Sequence, residues 1–326
     1  MRKGTNLQME NKTQEKFKSK IGGQALIEGV MMRGIDNAAM ALRLPTGEIE
    51  TETWEIKNGK NPPWYRKCPF IRGPFNFVTS MIDGYKCLSK SADRAMDFED
   101  EEPETKLEKW LDEHIGDKLM PIVMTVGVVL GVALAVVLFM WLPSFVSSLV
   151  GKVIPINSIV KTIIEGVLKI IIFVLYMALT SLMKDIRRTY EYHGAEHKTI
   201  ACYEAEEELT VENVKKHCRF HPRCGTSFLI LTLIVSIIIT SVLHLPWDNI
   251  ALRIVIKLVL IPVYVGITYE FIRLAGRYSN PFTRILSAPG LWLQRITTRE
   301  PDESEIEVAI AALKPCIPED KSIDKW

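Results

Sequence analysis

Apolar residues in this chain are bunched, and the bunches are long. Stretches 120–142, 163–183, 226–245 and 252–269 each hold close to the roughly 20 apolar residues that a bilayer-spanning helix needs. The first and third carry no charged side chain. The second has Glu165 and Lys169 near its start, and the fourth has Arg253 and Lys257 near its start and Glu270 at its end. Charges near a span end suit side chains that snorkel to the interface. For the fourth stretch, Arg253 and Lys257 also suit an interfacial helix. The pattern predicts a mainly α-helical integral membrane protein with about four transmembrane helices and a small α+β N-terminal cytosolic domain.

The polar–apolar pattern outside the spans divides the rest. Residues 1–20 are polar and mixed in charge, which reads as a disordered start with no cleavable signal peptide. Residues 21–34 form a Gly-punctuated apolar stretch, read as one strand bounded by glycine turns. It ends without the Lys-Ser/Thr of a phosphate-binding loop and does not match G-x-G-x-x-G. Stretches 39–44 and 48–56 alternate on either side of Pro45-Thr46-Gly47, a β-hairpin pattern. In 75–96, Phe77, Val78, Met81, Ile82, Tyr85, Leu88 and Ala92 recur at helical spacing, so this helix packs on the domain or lies at the membrane surface. Residues 21–96 thus make the α+β domain, and the acidic run within 97–118 reads as a solvated linker. The membrane domain covers 119–275 and carries one long polar loop, 184–225. In the tail, 276–326, Trp292 and Leu293 suit an interface-hugging helix and 303–313 a short amphipathic one. The chain beyond Pro315 reads as frayed.

Charge changes this picture in one respect. With 40 Lys and Arg against 39 acids, the net charge of +1 gives no global attraction to nucleic acid, and none is expected as a partner. The basic residues are unevenly placed, however. Connections 143–162 and 246–251 are nearly free of them, whereas 184–225 carries Lys184, Arg187, Arg188, Lys198, Lys215, Lys216, Arg219 and Arg223. The positive-inside rule then places both termini and the long loop in the cytosol. The six Cys form no regular framework and read as reduced thiols, some of them metal ligands.

Candidate chemistry sits in that loop. His193-Gly194-Ala195-Glu196-His197 follows the second span, and His221 and Cys224 precede the third. Two His four apart share one helix face and hold one metal through neutral imidazoles. H-x-x-E-H is also the inverted form of the zinc-peptidase helix, whose Glu acts as general base. Since 184–208 contains no Pro, the second span is expected to continue as one helix that carries the pair clear of the lipid. His221 and Cys224 then face it across an antiparallel pair. The ligand set is His193, His197, His221 and either Cys224 or a water, for a divalent transition metal with zinc foremost. Glu196 is the candidate catalytic residue. Glu204 lies about 10 Å further along the helix and is out of reach of the same ion. His217 and Cys218 add nearby candidates. Against this stands a reading of the His and Glu as ordinary polar helix residues.

At these residues the chain resembles a known family. Gly22-Gly23-Gln24-Ala25-Leu26-Ile27-Glu28-Gly29-Val30-Met31-Met32-Arg33-Gly34 is similar to its N-terminal signature. His193-Gly194-Ala195-Glu196-His197-Lys198 and His221-Pro222-Arg223-Cys224-Gly225-Thr226-Ser227-Phe228 resemble its central motifs. Pro289-Gly290-Leu291-Trp292-Leu293-Gln294, with Thr298-Arg299-Glu300-Pro301, resembles its C-terminal one. This is the YqhQ-like family of bacterial membrane proteins, described as predicted metal-dependent enzymes, and the likeness runs from Ile21 to about Leu313. It implies a multi-pass protein of the bacterial cytoplasmic membrane with a metal at the His/Glu motif. Two functions are expected to compete. One is a metal-dependent hydrolase at the cytosolic face, acting on a membrane peptide or a lipid-linked group. The other is a non-enzymatic scaffold or assembly factor, in which a structural metal or polar clamp joins two helices and a membrane protein or peptide is the partner.

Overall fold

The computed structural model describes residues 17–57, 59, 62–96, 119–278 and 280–325. The expected acidic linker at 97–118 and most of the expected disordered start lie outside them. The chain opens with a four-stranded antiparallel meander: β1 (Gly22–Leu26), β2 (Gly29–Arg33), β3 (Asn37–Arg43) and β4 (Ile49–Glu55). The Gly-punctuated stretch is therefore two strands, not one. Glu28 takes the left-handed backbone (φ 52°) at the reversal. Gly29 follows because a Cβ there would stand 2.3 Å from the Ala41 carbonyl oxygen. Gly47 (φ 89°) turns β3 into β4.

Helices α1 (Trp64–Lys67) and α2 (Arg72–Met96) come next, then α3 (Leu119–Val136). The last passes through a π-turn at Val137–Trp141 into α4 (Leu142–Val153). The first apolar helix thus runs eleven residues past its expected end at Leu142. Pro143, which has no N–H to give the helix, falls just after the π-turn, and Ser144 and Ser147 pack against the next helix. That helix is α5 (Ser158–Thr180), and a break at Ser181, Leu182 and Met183 separates it from α6 (Lys184–Glu204). The expected continuous helix is absent. Thr180 and Ser181 hydroxyls bond back to the Met177 and Ala178 carbonyls, and Met183 turns extended before α6 begins.

The remaining helices are α7 (Val211–Lys216), α8 (Gly225–Val242), α9 (Ile250–Val259), α10 (Ile261–Arg277), α11 (Pro281–Thr297), α12 (Glu303–Leu313) and α13 (Lys321–Asp324). Among the described residues, three helical stretches are long and apolar enough to cross a membrane: Thr125–Val153, Ser158–Thr180 and Gly225–Val242. The pair α9–α10, bent by 45°, makes a fourth if counted as one span.

Between these helices three of the charges expected at the interface, Glu165, Arg253 and Lys257, lie buried together. Glu165 accepts from Arg253 (2.7 Å) and Ser144 (2.9 Å) and pairs with Lys257. Arg253 is fully buried, lies 3.8 Å from the Trp247 ring centroid, and donates to the Leu245 carbonyl. Inside an apolar bundle, charges persist by pairing with one another, which these do.

The chain after Arg277 is no loose tail. Helix α11 packs along α8, where a Cβ on Gly290 would stand 2.2 Å from Ser227 Oγ. Helix α12 packs on α6, β2 and β3, and its Ile306 and Leu313 share a core with Val30, Met32, Tyr192 and Ile200. Each fully buried aliphatic chain there contributes roughly 1.5–3 kcal/mol. Beyond Pro315 the chain is tied down too: Asp324 is buried and accepts from Ser19 Oγ (2.6 Å) and the Lys20 amide (2.9 Å). The two ends of the described chain therefore belong to one body.

Candidate metal centre

Helix α6 is buried from Tyr192 to Ile200 save for His193, which is half-buried, so the H-x-x-E-H string lies inside the body. His193 and His197 fall on one face, with ring centroids 4.4 Å apart. Cys224 faces them from the N-cap of α8, with its Sγ accepting from the Thr226 amide at 3.4 Å. The side-chain donors of His193, His197 and Cys224 all lie within 4.8 Å of one another. His193 Nε2 is 3.2 Å from Cys224 Sγ. A tetrahedral zinc with bonds of about 2.0–2.3 Å sets its ligands about 3.5 Å apart, so the group fits an ion with small adjustments.

The outer nitrogens are fixed. His193 Nδ1 donates to the Thr297 carbonyl at 2.8 Å and His197 Nδ1 to the Arg219 carbonyl at 2.6 Å. Such bonds set the tautomer that leaves Nε2 free to ligate. Burial by itself lowers the His193 pKa, but the Cys224 thiolate, Glu196 and the Thr297 carbonyl outweigh it and push His193 up to about 9. Burial works to raise the Cys224 thiol, yet the two imidazoles hold it well below the ordinary thiol range. Its seat at a helix N-terminus acts in the same direction. Both shifts favour a thiolate beside an imidazolium.

Glu196 is buried between the two His, and burial raises its carboxyl against the pull of His197 and His193. The Gly23 amide on β1 partly offsets this. One carboxylate oxygen, Oε2, is buried with no hydrogen-bond partner. A buried acceptor left open in this way suits a ligand or water at the centre.

His221 stands beside the group, not in it. Its ring centroid is 5.6 Å from that of His197, and its Nε2 accepts from Arg223 (3.2 Å) and lies 3.7 Å from Glu204. Burial lowers its pKa against the pull of Glu204. The Gln294 amide clamps its backbone from both sides at 2.8 Å, which fixes the turn leading to Cys224. Glu204 is held by Arg223 and the Ser19 amide (2.8 Å), away from the His pair. Cys202, Glu207 and His217 form a second grouping. There burial pushes the Cys202 thiol up to about 11, which disfavours ligation. Cys218 is exposed and outside both groups.

Several contributors carry no side-chain signal. Thr297 and Arg219 act through carbonyls. Gly23 acts by lacking a side chain, since a Cβ there would stand 2.7 Å from Met31 O and 3.0 Å from Glu196 Cδ. Lys198 is buried and pairs with Glu300, which also takes Arg219 at 3.0 Å. The segment 297–301 is thereby strapped across α6.

The fold and this cluster define a helical protein with apolar, membrane-length helices and a buried His/His/Cys centre at their base. Residues 68–319 match the family described as "Protein of unknown function (DUF1385)", and the chain belongs to that family. It is 34% identical over 294 residues, 89% of each chain, to "Uncharacterized protein YqhQ" of Bacillus subtilis (strain 168). No solved structure matches it.

Proposed function

We propose that the chain is a multi-pass protein of the bacterial cytoplasmic membrane that holds a divalent transition metal, zinc by its donor set, and acts as a metal-dependent hydrolase at the cytosolic face. His193, His197 and Cys224 hold the ion, and three protein ligands with an open fourth position are the pattern of catalytic rather than structural zinc. When bound, the ion supplies Lewis-acid activation of water or of a polarised substrate oxygen. Glu196 receives and returns the proton through Oε2, and burial raises its pKa in the direction that a proton carrier needs. Thr297 and Arg219 orient the two imidazoles. The observation that carries the reading is the convergence of three donors, the two His among them with their outer nitrogens tied down, beside a buried carboxylate oxygen that has no partner. The basic loop 184–225 supports the cytosolic placement, and the shared body of the two chain ends supports placing both on one side.

The alternative is a structural metal clamp in a scaffold that binds a membrane protein or peptide. The cluster's position favours it, because the donors join α6 to α8 and are braced by the end of α11. Metal analysis of the detergent-purified protein separates the readings. Stoichiometric zinc is expected in wild type and in Glu196→Gln, and its loss in His193→Ala and Cys224→Ser. Loss of cellular function in Glu196→Gln at full metal content supports the hydrolase, and full function supports the clamp. Wild type purified without metal would refute the hydrolase and a metal clamp, and would favour a purely polar clamp between the two helices.

A further inference from the structure

A cleft of about 520 Å³ opens between the sheet, α2 and α10, and its wall includes Gly22 and Gly23 of β1 and Tyr269 of α10. Gly23 closes this wall tightly, since a Cβ there would lie 2.8 Å from Met32 Sδ and 3.0 Å from Glu196 Cδ. The cleft is basic. Lys20, Arg33, Lys57 and Arg66 line it against the single acid Asp83. Asp83 is taken up by Arg33 at 2.5 Å. Arg66 donates to Thr79 at 2.8 Å, while its Nε is buried with no hydrogen-bond partner. Four cations against one carboxylate is the chemistry of an oxyanion site.

Helix α2 sets the depth of this cleft. At about 100° per residue, Asn76, Thr79, Ser80 and Asp83 fall on one face, toward the cleft. Phe75, Val78, Ile82 and Tyr85 fall on the other and are each 48% to 54% exposed. Phe77 stacks on Phe228 in the first turn of α8, with ring centroids 5.4 Å apart, and Arg72 pairs with Glu270 on α10. A helix with one apolar and one polar face, braced at the mouth of an apolar helix, lies in the membrane surface plane. The cleft above it then sits at headgroup depth.

We infer that this cleft binds a phosphoryl group presented at the membrane surface; any role of that ligand as substrate rests on the hydrolase reading, whereas its binding does not. The ligand is a phospholipid headgroup or a soluble phosphate ester. The test titrates full-length, detergent-purified protein with dihexanoyl phosphatidylglycerol, dihexanoyl phosphatidylcholine and glycerol phosphate, followed by calorimetry. Phosphatidylglycerol is expected to bind at least tenfold more tightly than phosphatidylcholine, and Arg66→Gln to lose about tenfold. Glycerol phosphate equal to phosphatidylglycerol identifies a soluble ester; much weaker binding identifies the lipid. Asp83→Asn, which removes the only acid in the cleft, is expected to tighten binding severalfold, a gain that misfolding does not mimic. Equal binding of the two lipids, or binding unchanged in Arg66→Gln, overturns the inference. Lipid discrimination in a metal-free protein would sink the hydrolase alone. Stoichiometric metal without discrimination would sink the cleft alone.

Discussion

Replacing Gly194 by alanine sets two effects of opposite sign against each other. Glycine inside a helix costs roughly 0.5–1 kcal/mol relative to alanine, so propensity predicts a more stable variant. Packing predicts the reverse, because the new Cβ would stand 1.9 Å from the Arg299 carbonyl oxygen. A carbon–oxygen contact needs about 3.3 Å. The strap must therefore retreat by about 1.4 Å, the difference between those two distances. It is not free to do so. Arg299 N–H donates to the Tyr190 carbonyl at 2.8 Å, Thr297 O holds His193 at 2.8 Å, and Glu300 pairs with Lys198 and Arg219.

Overpacking of this kind costs about 1–3 kcal/mol, and a weakened hydrogen bond about 1 more. Set against the propensity gain, Gly194→Ala should be destabilised by about 1–3 kcal/mol. Because the retreat takes Thr297 away from His193, metal affinity should also fall about 10–100-fold, as for other losses of an orienting partner. Thermal melting in detergent with and without chelator reads the first effect, and competition with a chromophoric chelator reads the second. Gly131→Ala, where an added Cβ meets nothing within 4 Å, should show the propensity gain alone and so calibrates the scale. A Gly194→Ala protein as stable as wild type, with unchanged metal affinity, would refute the strap's role.

Two further outcomes follow from buried charges. Burial, with Asp302 and Glu191 nearby, pushes Glu305 up to about 7 from 4.5. Its neutral form is the one the fold prefers, so its stabilising contribution is full below about pH 4.5 and is lost as pH rises through about 7. Glu305→Gln keeps the acceptor for the Asp302 amide, and should therefore melt like wild type at pH 5 and higher than wild type at pH 8. The gain is at most about 3 kcal/mol, and equal melting differences at both pH values would contradict it. In the helical bundle, Glu165→Gln leaves Arg253 and Lys257 buried without a counter-charge, which costs about 3–5 kcal/mol. Its melting temperature in detergent should drop sharply, and proteolysis between α8 and α9 should become faster. An unchanged melt would show that the cluster is solvated.

What was legible in the sequence was whatever depends on local period. The i,i+4 spacing of His193 and His197 placed both on one face, and Cys224 came with them because it caps the helix that returns to α6. His221 was a natural third ligand by residue type, but Arg223 and Glu204, close neighbours in space, take its free nitrogen. The carbonyls of Thr297 and Arg219 leave no trace in composition, and Thr297 is about a hundred residues from the His it orients. That Glu165, Arg253 and Lys257 pair with one another inside the bundle was hidden from the sequence for a definite reason. Apolar content marks where a helix is greasy, not where it ends. Ser144 and Ser147 interrupted the hydropathy of a helix that continues to Val153, and the next begins at Ser158, so Glu165 falls about two turns inside its helix with Ser144 against it.

The four motifs converge for one physical reason, which bears on how a metal would act here. Gly23 permits β1 to approach Glu196; His193 and His197 come from α6; Cys224 begins α8; and the strap from Thr297 to Pro301 locks over Gly194. None of these segments holds the cluster in place alone, and the unfolded chain has no preformed site. Binding free energy for an ion on such donors is therefore also free energy for docking the sheet, the helical base and the C-terminal strap together. Removing the ion would loosen the Gly23 and Thr297 contacts jointly rather than one ligand at a time. Hydrogen exchange at the amides of β1 and of residues 298–300 should accordingly rise in parallel when chelator is added. Exchange rising at only one of the two would mean that the strap and the sheet are secured independently of the centre.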